Sequence, residues 1–309
     1  MLTQEIYSVL RSCMNQKINF RYVFNIFSTI IISLLCAILF LTAYYTYHWS
    51  QSILHPQRFI ATGDSLKENN IEYQEVELIT KDGLKLSAWY TPPKNGAVIL
   101  LAHGYNDNRP ESLYVMFAKH DYGVLAWDFR AHGESEGEFS TLGYYEQLDA
   151  EAALDFALAQ QDVEVIGAWG GSMGAATMIL TASQRTEIKA VVADSAFPSL
   201  ADVLRLNMPF EFLHPLVIFF GQYQTGIQIE NVNVEKVIAD ISPRAVYIID
   251  GWQGGAIAMN SPYRLYDSAN EPKQIWVEDD VPHLGMYGHN PQRYENRVIK
   301  FFDEYLLNK

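Results

Sequence analysis

The chain has 309 residues, 49% of them hydrophobic, and a formal net charge of −14. That content supports a buried core and argues against wholesale disorder. The acidity disfavours a basic, phosphate-reading surface, so nucleic acid is not an expected partner. The only cysteines are Cys13 and Cys36, which excludes a disulfide framework or a thiolate metal centre in the rest of the chain.

Charge is unevenly spread. Residues 1–22 carry Arg11, Lys17 and Arg21 against Glu5, and residues 23–47 carry none. The centre of that stretch, Ile30–Leu41, is almost wholly apolar, and about 20 such residues span a bilayer as a helix. Tyr44, Tyr45, Tyr47 and Trp49 cluster at its end, as aromatic residues do at a membrane interface. A transmembrane helix is therefore expected over residues 22–47, after a cytoplasmic segment 1–21. Positive charge before the span places the remainder outside the cytoplasm. The stretch is long for a cleaved signal peptide, and Ala43-Tyr44-Tyr45 offers no small-x-small cleavage site.

Residues 48–70 are mixed and polar and read as a linker, leaving 71–309 as one domain. Tyr73–Thr80 alternates like a strand, Lys81-Asp82-Gly83 reads as a hairpin turn, and Leu84–Tyr90 is its partner. Ala97–Ala102 is uninterruptedly apolar, as in a strand buried on both faces. Ser112–Lys119 reads as a helix, Gly123–Trp127 as a strand, Asp128–Ser135 as a polar loop and Tyr145–Ala159 as a helix. Val163–Trp169 and Ala190–Ala193 read as further strands, the latter ending at Asp194. Ala245–Ile249, ending at Asp250, and Gln274–Val277 are the last two strands, and Pro291–Leu307 is a closing helix. This alternation predicts an α/β domain with a parallel sheet covered on both faces, its ligands meeting the carboxyl ends of the strands. Residues 195–242 interrupt the alternation. There Leu204–Phe220 is strongly apolar and broken by Pro209 and Pro215, as in a helical cap whose Phe212 and Phe219 line an acyl pocket.

The chemistry centres on Gly170-Gly171-Ser172-Met173-Gly174, between the strand ending at Trp169 and a helix over Ala175–Ala182. Strand, G-x-S-x-G and helix form the setting of a nucleophile elbow, in which a sharp turn presents the serine hydroxyl at the sheet edge. Its serine needs an adjacent base. His283, late in the chain and just after a strand, is the expected one, with His289 its rival.

Together with His103-Gly104-Tyr105, the Asp128–Ser135 loop and Pro282-His283, the elbow resembles the α/β-hydrolase superfamily over residues 73–307. It is nearest the membrane-anchored bacterial branch related to prolyl-oligopeptidase and acyl-hydrolase domains. The resemblance implies an eight-stranded, mostly parallel sheet. It also implies an acyl-Ser172 intermediate, backbone N–H groups of Tyr105 and Met173 as the oxyanion hole, and no metal or cofactor. His103 and His132 fall in motifs to which it gives structural work, and Ala131 replaces a usual glycine. The triad acid falls at Gly254, where no carboxylate exists. Asp194 is the expected substitute, with Asp250, Asp279 and Asp280 as others. The expected activity is cleavage of an ester, thioester or amide. The alternative is a degenerate hydrolase domain that binds or scaffolds at the membrane.

Overall fold

With no charge between residues 23 and 47, nothing interrupts the first long helix, and α1 (Phe20–Leu54) runs for 35 residues. The stretch Arg21–Leu54 is long and apolar enough to cross a membrane. The computed structural model describes residues 5–8, 20–207, 210–253 and 260–308. The chain divides into two units, residues 1–48 and 49–309, so the last turn of α1 belongs to the second.

That boundary differs from the linker expected over 48–70, because polar residues there bind the fold. Arg58 donates from its guanidinium to the carbonyls of Gly133, Ser135 and Gly137, at 3.1, 2.5 and 2.8 Å. Helix α2 (Asp64–Glu68) buries Leu66 completely. The Glu111 carboxylate accepts the N–H groups of Thr62, Gly63 and Ser65, satisfying donors at the start of α2 that the helix cannot.

The second unit is built on one sheet of β1 (Gln74–Ile79), β2 (Lys85–Thr91), β3 (Ala97–Ala102), β4 (Gly123–Trp127), β5 (Val165–Gly171), β6 (Ile188–Asp194), β7 (Ala245–Gln253) and β8 (Lys273–Pro282). Their order is β1-β2-β4-β3-β5-β6-β7-β8. β2 pairs antiparallel with β1 and β4, and the remaining pairs are parallel. Every residue of β3 and β4 is buried, which is why both read as continuous apolar runs. The helices between and after the strands are α3 (Glu111–Lys119), α4 (Glu146–Leu158), α5 (Met173–Gln184), α6 (Leu200–Asn207), α7 (His214–Thr225), α8 (Val234–Val237), α9 (Ser261–Ser268), α10 (Met286–His289) and α11 (Pro291–Leu306), of which α3, α4, α5, α9, α10 and α11 pack on the sheet. This is the doubly covered sheet that the resemblance implies, with α6 and α7 in the expected cap. Pro209 lies outside the described residues, while Pro215 stands in the first turn of α7, where its missing N–H costs no hydrogen bond.

Candidate active site

Four adjacent strands bring the site together: at their carboxyl ends β5 leads into the elbow, β6 ends in Asp194, β7 carries Asp250 near its end, and β8 leads to His283. Ser172 sits between β5 and α5 at φ 52° and ψ −110°, a sparsely populated conformation for a residue with a side chain. The turn closes so tightly that a Cβ on Gly170 would stand 2.4 Å from the Gly174 carbonyl oxygen, and one on Gly174 2.2 Å from that of Ala102. Both positions exclude any side chain, which is the physical content of the glycine pattern.

His283 follows β8, and its Nε2 lies 2.9 Å from Ser172 Oγ, so the nucleophile and base expected from the sequence do meet. Burial alone pushes the imidazole below its ordinary pKa of 6.5. The ring is thus neutral at pH 7 and can accept the serine proton. His289 ends α10 in an exposed position.

Met173 opens α5, so its N–H belongs to the first turn, which finds no acceptor within the helix. Tyr105 follows β3 in the loop expected to give the second donor. Its hydroxyl donates to the carbonyls of Ser52 and Ile53, at 3.2 and 2.8 Å, tying this loop to the end of α1. His103 and His132 are held as scaffolding. His103 Nε2 accepts the Phe129 N–H while Nδ1 faces the Gly104 carbonyl, and burial pushes its pKa down to about 3. His132 accepts the Asn106 N–H and faces the Arg130 carbonyl.

The acid differs from expectation. Asp194 is buried at the end of β6, but its carboxylate does not turn to His283. One oxygen accepts the Ser195 hydroxyl at 2.9 Å and the other the Tyr294 hydroxyl at 2.7 Å, and the Trp169 indole donates to Tyr294 in turn. The same Ser195 Oγ accepts the N–H of Leu284, the residue after His283, at 3.1 Å. Among the described residues, Asp194 therefore reaches the histidine loop through Ser195. Asp250 is buried beside this hydroxyl too. Burial, then the neighbouring Asp194 charge, pushes its pKa up to about 7, while burial pushes that of Asp194 up to about 6. Asp279 and Asp280 are exposed. Among the described residues no carboxylate contacts His283, and none hydrogen-bonds its second ring nitrogen. Gly254, the position of the missing acid, lies outside the described residues.

Ser195 and Tyr294 were not legible as parts of the site. Tyr294 lies 100 residues beyond Asp194 on α11, and the pairing is purely tertiary. The one local signal at Ser195 is its place at the end of a strand, and it adopts φ 58° there.

Residues of α6, α7 and the last turn of α1 line a mostly apolar cavity with about 430 Å³ of atom-free space, part of it open to solvent, and no residue of the elbow is in its wall. Ile53, Leu142, Leu204, Val217 and Ile218 are in its wall, with Ser140, whose hydroxyl contacts Met173 Sδ at 3.5 Å. Phe212 and Phe219, expected here, instead face solvent at 77% and 57% exposure. Val217, Ile218 and Thr225 of α7 take the wall, because they lie on the side of that helix opposite Phe219.

Residues 93–302 match the family described as serine aminopeptidase, S33. The uncharacterized protein YqkD of Bacillus subtilis is 28% identical over 233 residues, covering 72% of this chain and 76% of that protein. The alpha/beta hydrolase domain-containing protein WAV2 of Arabidopsis thaliana is 30% identical over 259 residues, covering 78% and 82%. Among solved structures, the Pyrococcus furiosus esterase Pf2001 superposes with a TM-score of 0.70 at 27% identity, over 82% of this chain and 99% of that one. Matched by that family's model over two thirds of its length, and with a sheet of the fold its solved neighbour shares, the chain belongs to the serine aminopeptidase S33 family of α/β-hydrolases.

Proposed function

We propose that the chain is an esterase-type serine hydrolase that works through an acyl-Ser172 intermediate. The observation that carries this reading is the 2.9 Å contact between Ser172 Oγ and the neutral His283. His283 Nε2 takes the hydroxyl proton as Oγ attacks the acyl carbonyl carbon. The N–H groups of Met173 and Tyr105 receive the oxyanion, and such a donor is worth about 3 kcal/mol. His283 then gives its proton to the departing alcohol. A water, activated by the same nitrogen, cleaves the acyl-serine ester and restores the free enzyme. The likeness to the Pyrococcus esterase favours an ester over a peptide as substrate. The span over residues 22–47 would hold the domain at the membrane, outside the cytoplasm.

A second reading has a specific observation behind it. With no carboxylate at position 254 and none on His283 among the described residues, the imidazolium formed in the first step is unsupported. Loss of the acid costs related triads about 10⁴ in rate, so a domain retained for binding is the rival. Hydrolysis of a water-soluble p-nitrophenyl ester by the purified full chain decides between them. Turnover that disappears in Ser172→Ala supports the hydrolase. Equal rates in parent and variant would leave only the binding role.

A further inference from the structure

Helix α7 is apolar on two sides. Val217, Ile218 and Thr225 wall the cavity beneath it. Leu216, Phe219 and Tyr223, preceded by Phe212, form a stripe at spacings of three and four on the opposite side, where all four are exposed. Tyr223 is 80% exposed, and its ring stacks on Phe219 at a centroid distance of 6.3 Å. No Asp, Glu, Lys or Arg occurs between Phe212 and Thr225. A helix without charge whose outer face carries Phe, Leu and Tyr lacks the polar surface that would make it stable in water.

We propose that this outer face of α7 inserts into the interfacial layer of the membrane that carries the chain. The inference rests on the reading that the apolar stretch of α1 spans that membrane. Two observations select lipid as the occupant. The stripe has nothing with which to pair a charged partner, and it combines Phe and Leu with a Tyr, the composition that seats at the boundary between headgroups and acyl chains. The cavity wall that α7 completes also includes Ser50, three residues along the same helix from Tyr47, where the span ends. At ~1.5 Å per residue this is about 5 Å of chain. A membrane-seated α7 would place the cavity beside a supply of acyl esters dissolved in lipid.

Spin-label depth measurement tests this on the full chain in phosphatidylcholine vesicles. The two cysteines are replaced as Cys13→Ser and Cys36→Ser, and a nitroxide is attached at Phe219→Cys. Labels at Ile38→Cys, in the span, and at Lys300→Cys, exposed on α11, serve as references. Collisions of the Phe219→Cys label with oxygen should exceed those with a water-soluble nickel chelate, by a ratio several-fold above that at Lys300→Cys. An aqueous Phe219→Cys label beside a lipid-buried Ile38→Cys label would overturn the inference alone. An aqueous Ile38→Cys label would remove the span on which it rests. Spin–spin broadening at Phe219→Cys that grows with protein density would show a second copy on this face, and would likewise overturn it. None of these readouts depends on catalysis, so failure of the hydrolase reading would be seen separately.

Discussion

The Ser195 hydroxyl joins two parts of the site that do not touch: it donates to Asp194 and accepts the N–H beside His283. Its φ of 58° suits glycine, so Ser195→Gly removes the hydroxyl without straining the backbone. One hydrogen bond contributes about 1 kcal/mol, so ester turnover should fall about fivefold to tenfold. The melting temperature should stay within a few degrees, and an unchanged rate would show that Ser195 does not hold the histidine loop. Asp194 stands one step further away, so Asp194→Asn should cost far less than the ~10⁴ of a carboxylate that orients the base directly. Asp250 offers a test by pH. Its folded pKa is raised to about 7 from 3.8. A raised acid stabilises the fold while protonated, and that contribution is lost as pH climbs from about 4 through 7. Asp250→Asn carries no such loss. Its melting temperature should therefore gain on the parent more at pH 8 than at pH 5, and a gain independent of pH would contradict the shift.

Among the elements, the joint between β5 and α5 is the least forgiving. Gly174 packs against the backbone of β3, which cannot move aside, whereas a Cβ on Gly288 of α10 meets nothing within 4 Å. Gly174→Ala should lower stability by about 3 kcal/mol, and Gly288→Ala should leave it within about 0.5 kcal/mol. Equal effects in denaturant melts would show that the elbow is looser than its geometry implies. This joint was legible in the sequence because its constraint is local: the turn itself demands the glycines. The buried strands were legible for a similar reason, since a sheet covered on both faces leaves no polar side to interrupt Ala97–Ala102. The orientation of α7 was not. Its sequence is apolar around much of the helix, so only packing against α1 and α6 decides that Val217 points in and Phe219 out. Residues 48–70 misled for the converse reason. Polar residues such as Arg58 suggest a solvated link, but the groups that bind this segment, the carbonyls of the 133–137 loop and the Glu111 carboxylate, are distant in sequence.

At the scale of the whole molecule, the architecture followed from alternating strands and helices, and Ser172 and His283 from motifs at the strand ends. The electrostatic support of the base was not readable, because the partners of a buried carboxylate are chosen by tertiary packing. Asp194 has the position expected of an acid but gives its oxygens to Ser195 and Tyr294. The molecule thus sets the Ser172 hydroxyl against an imidazole that no described carboxylate supports. The most direct test is the pH dependence of fluorophosphonate labelling of the detergent-solubilised full chain, parent against His283→Ala. An imidazole whose pKa is lowered by burial predicts that labelling at Ser172 falls off at a lower pH than an ordinary imidazole would give. Removal of the base should slow labelling about 10³-fold or more. A parent that does not label, or a His283→Ala variant that labels as fast, would contradict the account.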